Sequence, residues 1–262
     1  MNLLQRALIE KAGHDNGFEY VLPPTDSERV LLGSARHGAE VHVQSQGAGF
    51  MAALGKCQLS LPTELARSFP QAVLDTVSFA LADEAALARW LRRAAALATA
   101  LPSQAVATFE EQVQTELAAL DPVAAQNTEV LRMVRQRIGQ QAFRGAMLDY
   151  WGGACAVTGV ALPQALRASH AKAWALCQTD AERLDVYNGF LLSANLDALF
   201  DTYLASFDDK GTLLISTAIS AEERIRLGLN TEQKLSWLDP KHLPYLAFHR
   251  AKCGWLAEAT ST

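Results

Sequence analysis

His170, Asn188, Asp197 and Asp201 lie in one otherwise apolar stretch, RASHAKAWALCQTDAERLDVYNGFLLSANLDALFD, which runs from Arg167 to Asp201. The run SANLDALFD reads as a helix with Ser193 or Asn195 as N-cap and an apolar stripe of Leu196, Leu199 and Phe200. Asp197 and Asp201 are four residues apart, about one helical turn, so both carboxylates project from one face. Like charges at that spacing repel unless something positive lies between them, either a divalent cation or a Lys or Arg. Hydrolysis of a phosphodiester with one metal needs a base for the attacking water, a cation for the developing charge and a group that orients the base. His170 suits the base, because neutral imidazole accepts a proton near neutral pH. Asp197 and Asp201 are hard oxygen ligands suited to Mg²⁺ or Mn²⁺ rather than zinc. Asn188 can hydrogen-bond backbone carbonyls across its loop, and Arg167 or Lys172 could hold the phosphate. Each residue also has an ordinary reading: a structural histidine, an Asn-Gly turn, a solvated helix face.

The rest of the chain must position these groups. At 262 residues it suits one large domain or two small ones, and 50% hydrophobic with 19% charged residues describes a globular protein with a core. The charged amphipathic start, MNLLQRALIEKAGHD, has no secretory pattern, and Arg92 and Arg93 break the richest apolar run, so a cytoplasmic protein off the membrane is expected. Four scattered cysteines without a C-x-x-C pair argue against a disulfide framework or a zinc knuckle, and are expected buried and reduced. The net charge of −5 is uneven: −6 over residues 1–129 and +1 over 130–262. Arg132, Arg135, Arg137, Arg144, Arg167 and Lys172 face one acid, Asp149, within 130–172. This basic strip suits a phosphate ligand or a solvated helix face.

Patterning predicts helix over 2–13, short strands at Phe18–Leu22, Arg29–Leu32, Glu40–Gln44 and Phe50–Leu54, then a less regular stretch to Ala80. Helices are expected over Asp83–Ala100, Thr108–Leu120 and from about Gln126 to Tyr150, with Gly139 the weak point of the last. The domain boundary is placed at 120/121. Beyond Tyr150, strands are expected at Ala154–Val157, Arg167–His170 and Phe190–Leu192, then the Asp-bearing helix, a hairpin over Tyr203–Ser216, and helices Ala221–Leu227 and His242–Cys253. His14, His37 and His42 lack partners at ligand spacing and read as surface or hydrogen-bonded core residues.

The segments RIGQQAFRGAMLDYWGGACAVTG, RASHAKAW, ERLDVYNGFLLSANLDALFD and YLAFHR occur in an order that resembles the HNH endonucleases, in particular a bacterial restriction-like branch. The resemblance runs from about Val134 to Arg250. It implies an α+β chain: an N-terminal mixed α/β domain (1–120) for sensing, recognition or dimerisation, a helical connector, and a C-terminal ββα-metal domain (121–262) with flanking helices. It implies metal-dependent cleavage of DNA in restriction or phage defence, with His170 as base and Asn188 as orienting residue. Asp197 stands where the family's last ligand lies, Asp201 one turn on, and Ser169 replaces a ligand often found just before the base. Mg²⁺ is the expected metal, with Mn²⁺ or Ni²⁺ as alternatives, and Arg144, Arg167 and Lys172 are the expected phosphate contacts. A homodimer would let one site serve each strand. The departures at Ser169 and Asp197, with the acidic first half, also fit a catalytically decayed scaffold that binds DNA or regulates.

Overall fold

The computed structural model of the protein describes residues 1–23, 28–121 and 127–259. The chain divides into two compact units, Met1–Gln104 and Ala105–Thr262. Residues 24–27, between the first two expected strands, and part of the connector lie outside the described residues.

The first unit opens with helix α1 (Leu3–Asp15), started by a capping box in which Asn2 and Gln5 satisfy each other's backbone N–H groups. An antiparallel meander follows: β1 (Tyr20–Leu22), β2 (Val30–Gly33), β3 (Val41–Gln46), β4 (Gly49–Leu54) and β5 (Ser78–Leu81), neighbours in that order. Alternation puts Val30 and Leu32, Val41 and Val43, Ala52 and Leu54, and Phe79 and Leu81 into the core. Helices α1 and α3 (Glu84–Ala100) cover them, with α2 (Leu61–Ser68) packed on α3, which buries Leu87, Trp90, Leu91, Ala94 and Leu97. The stretch expected to be irregular before Ala80 therefore holds α2 and most of β5. Its signal was weak because β5 is short and only Phe79 and Leu81 point inward. His37 is buried and bonds the Gly17 carbonyl through Nε2 at 3.2 Å, yet among the described residues its Nδ1 has no hydrogen-bond partner, as is also true of His42 Nδ1.

The second unit begins at Ala105, one residue into α4 (Gln104–Ala118), sixteen residues before the expected 120/121 boundary. The reason is packing. Phe109 and Val113 of α4 are fully buried, and the Arg135 guanidinium lies 5.0 Å above the Phe109 ring while bonding Glu110. Helix α5 (Thr128–Tyr150) starts where the Asn127 side chain accepts the amides of Glu129 and Val130. Its buried face is Ile138, Gly139, Phe143, Ala146, Met147 and Tyr150.

That face packs on a two-stranded antiparallel ribbon, β6 (Leu166–His170) and β7 (Gly189–Ser193), in register from Leu166–Ser193 to His170–Gly189. The chain passes directly from β7 into α7 (Ala194–Asp201), after a short α6 (Asp180–Arg183) within the β6–β7 loop. The ββα unit is thus β6, β7 and α7. Ala154–Val157, expected as a strand, is a turn; it meets the ribbon at two points, the Ala156 amide donating to the Leu191 carbonyl at 2.7 Å and Cys155 Sγ accepting the Ser193 amide at 3.2 Å. Four residues opening on Gly152 and Gly153, both at positive φ, leave no length for a ladder.

A hairpin, β8 (Ala205–Phe207) with β9 (Leu213–Ile215), and helices α8 (Ala221–Arg226), α9 (Leu243–Lys252) and α10 (Gly254–Ala259) complete the unit. Within YLAFHR, His249 stacks on Phe200 of α7 at 3.8 Å between centroids. Its Nε2 donates to the Phe200 carbonyl at 2.9 Å and its Nδ1 accepts the Ser206 hydroxyl at 3.0 Å. The bond accepted at Nδ1 requires neutral imidazole, and burial brings the pKa down to about 4 from its ordinary 6.5, against the Phe200 carbonyl, which favours the charged ring. A histidine held neutral in the fold stabilises it fully above pH 6.5, and that contribution declines as pH falls toward 4. The loss should reach about 3 kcal/mol. Urea unfolding of wild type and His249→Gln should therefore show a gap that narrows by roughly that amount between pH 7 and pH 4.

Candidate active site

His170 ends β6 opposite Gly189, at the mouth of the β6–β7 loop. The strands approach so closely that a Cβ at 189 would lie 2.4 Å from the Ser169 carbonyl oxygen and 2.8 Å from the Phe143 ring, so only glycine fits. Phe143 stacks on the His170 imidazole at 3.7 Å and 17°, and Trp174 meets its edge at 5.9 Å. His170 Nε2 lies 2.9 Å from the Arg183 carbonyl oxygen. A carbonyl can only accept, so Nε2 carries the hydrogen and Nδ1 keeps its lone pair. Burial lowers the imidazole pKa, against the opposing pull of the Arg183 carbonyl and the Asp201 charge. The ring is therefore a neutral acceptor at neutral pH.

Asn188 is completely buried. Its Oδ1 accepts the Lys172 amide at 2.8 Å, and its Nδ2 donates to the carbonyls of Lys172 at 3.2 Å and Glu182 at 3.0 Å. One side chain thereby fastens both limbs of the loop. The Glu182 carbonyl that it holds immediately precedes Arg183, whose carbonyl lies 2.9 Å from His170 Nε2. The Arg183 guanidinium tightens the same loop by donating to Trp174, Cys177 and Asp180. Cys177 is buried against Asn188, while Cys155 and Cys253 are buried elsewhere and Cys57 is half-buried; all four are free thiols.

Asp197 and Asp201 stand on α7 and line, with His170, a cleft of 360 Å³. Ser193 is the N-cap residue, but its hydroxyl donates to the Asn195 side chain instead of closing the helix end. Among the described residues neither Asp is in a salt bridge, which removes the Lys or Arg partner from the two sequence readings. Ser169 donates to Asp197 Oδ1 at 2.6 Å. The position that often carries a ligand in this family therefore holds the carboxylate still instead.

The basic strip separates into two groups. Arg132 pairs with Glu129, Arg135 with Glu110 and Asp180, and Arg137 with Glu116. Lys172 was expected at the phosphate, but it pairs with Glu182 at 2.5 Å, lies over the Phe248 ring and does not line the cleft. Arg144 and Arg167 do line it. Their guanidiniums hold only backbone carbonyls: Arg144 those of Pro163 and Leu166, Arg167 those of Gln164 and Leu166, all at 2.8–2.9 Å. Two positive charges without ion-pair partners among the described residues thus share a cleft with a neutral imidazole and two carboxylates.

The donors fit a hard cation only in part. Among the described residues no group of three or more His, Cys, Asp and Glu is placed to hold a metal ion. Two carboxylates with water and substrate phosphate suit Mg²⁺, which keeps several waters, and do not make the closed N/S set that zinc takes.

Two contributors escaped the sequence reading, the Arg183 carbonyl and Phe143, whereas Trp174 and Phe200 were expected to be packing residues. The Arg183 carbonyl is backbone and leaves no trace in residue type. Phe143 lay within RIGQQAFRGAMLDYW, where it could be read only as helix core. Trp174 is a packing group against α5: a Cβ at Gly139 would lie 2.2 Å from its ring. Gly139→Ala should therefore cost about 1–3 kcal/mol despite its better helix propensity, and should displace Trp174 from His170. A melting curve that rose for this variant would contradict the packing.

No curated protein matches the chain. A family model described as HNH endonuclease matches residues 155–208, which span β6, α6, β7, α7 and β8. HNH nucleases act on nucleic acid and generally use a divalent metal. The chain carries an HNH endonuclease domain, and the cleft beside His170 lies within it and against α5.

Proposed function

We propose that the protein is a metal-dependent endonuclease that nicks DNA, with His170 as general base. The observation that carries this reading is the imidazole tautomer. Nε2 is committed to the Arg183 carbonyl, which leaves Nδ1 to take a proton from water in a cleft lined by Arg144, Arg167, Asp197 and Asp201. Arg144 and Arg167 would grip the phosphate, Arg167 being the more exposed of the two. Asp197 and Asp201 would hold the cation, Mg²⁺ being the best match to two carboxylates, with Mn²⁺ or Ni²⁺ as alternatives. When bound, the cation supplies Lewis-acid stabilisation of the developing charge and the leaving oxygen. Ser169 keeps Asp197 oriented, and Asn188 keeps the loop that orients His170. Restriction or phage defence, the setting implied by the resemblance, is part of the same proposal, as is a homodimer for cutting both strands.

The sparse donor set favours a second reading, a catalytically decayed HNH scaffold that still binds DNA. Incubation of supercoiled plasmid with Mg²⁺, Mn²⁺, Ni²⁺ or EDTA separates the two. Nicking that needs metal supports the endonuclease; DNA binding without nicking under any metal supports the decayed scaffold. Arg167→Ala should weaken DNA binding about tenfold and lower the salt dependence of binding by about one unit of slope. An unchanged slope in a salt titration would remove Arg167 from the phosphate site.

A further inference from the structure

Between the turn at Cys155 and strand β6, seven consecutive residues, 158–164, are all exposed. At their centre stands Val160-Ala161-Leu162-Pro163, with Val160 41% and Leu162 58% accessible. Isolated apolar residues on a surface need no explanation, but four in a row at a loop tip present one continuous apolar edge. The tip is pinned on both sides. The Cys155 amide donates to the Val160 carbonyl at 2.9 Å, the Gly159 amide to the Cys155 carbonyl at 3.0 Å, and the Ala165 amide to the Leu162 carbonyl at 2.9 Å. Gly159 takes the positive φ of 71° that this reversal demands.

The other anchors of the loop are the two arginines of the cleft. Arg144 bonds the Pro163 carbonyl at 2.9 Å and Arg167 bonds the Gln164 carbonyl at 2.9 Å. The apolar edge is thus fixed beside the cleft's two cations that lack ion-pair partners among the described residues. A cationic phosphate grip next to a rigid apolar edge is complementary to duplex DNA, whose backbone is anionic and whose minor-groove floor accepts apolar side chains between base steps.

We infer that Val160 and Leu162 form a wedge that enters the minor groove of the duplex held at this site and unstacks a base step. The inference rests on the DNA reading above. Arg144 and Arg167 hold the strand while the wedge opens the adjacent step, so flexible pyrimidine–purine steps are favoured over stiff A-tracts.

The test uses the full chain in EDTA, which keeps the DNA intact, and a duplex carrying 2-aminopurine at a pyrimidine–purine step. Wild type should raise the fluorescence as the base unstacks. Val160→Ser with Leu162→Ser should abolish the rise and weaken duplex binding about tenfold, leaving affinity for a single-stranded oligonucleotide unchanged. Leu162→Lys, which removes the larger half of the wedge but adds a charge, should reduce the rise while keeping affinity. An equal rise in wild type and both variants overturns the wedge. So does a change in sedimentation of the double variant without a change in fluorescence, which would make the tip a contact between copies of the chain. If wild type binds no DNA, and nicks none with metal, the DNA reading itself fails and takes the wedge with it.

Discussion

His170→Ala should lower plasmid nicking by about 10²–10⁴-fold while leaving DNA binding within a few-fold of wild type. The proposed role of His170 as base accounts for the first effect, since removal of the imidazole removes the Nδ1 lone pair that would accept the proton of the attacking water. The second follows from the proposed phosphate grip of Arg144 and Arg167, whose bonds run to the carbonyls of Pro163, Gln164 and Leu166 and not to His170. The substitution also leaves a ring-sized void against Phe143, now stacked at 3.7 Å. Added imidazole should enter that void and restore part of the activity, a rescue that a merely unfolded variant could not show. Nicking by His170→Ala within tenfold of wild type would mean that another group is the base.

Asn188→Ala should destabilise the second unit by about 3–5 kcal/mol. It strands the Lys172 amide and the Lys172 and Glu182 carbonyls in a site without water access, each at a cost of about 1–3 kcal/mol before relaxation. Asn188→Asp should cost nearly as much, because it keeps the acceptor for Lys172, loses both donated bonds and buries a charge. Activity should fall with stability in both, since the same loop supplies the Arg183 carbonyl that fixes the His170 tautomer. Urea midpoints and exchange of the Lys172 amide measure this. A midpoint unchanged in Asn188→Ala would show that the loop is held by Arg183 and α6 alone.

The sequence by itself determined most of the elements and the places of the candidate residues on them. Helices α3 and α5 follow from long apolar periodicity and from caps at Asp83 and Asn127, and these local causes act within a few residues. His170 at a strand end, Asn188 before Gly189, and two Asp one turn apart were legible because residue type and spacing alone define them. The turn at Ala154–Val157 was misread because four residues of apolar texture do not distinguish a strand from a packed turn.

Tertiary structure alone decided which charges are available. Arg135 and Arg144 belong to one helix and look alike in sequence, yet Arg135 is neutralised by Glu110 and Asp180, one of them 45 positions away, while Arg144 holds only carbonyls. Lys172 is two residues from the base, yet Glu182 captures it because α6 folds back over the loop. The protonated nitrogen of His170 is set by a backbone oxygen thirteen positions away. Ion pairing and tautomer depend on groups brought together by the fold, at separations where side-chain identity along the chain carries no distance information.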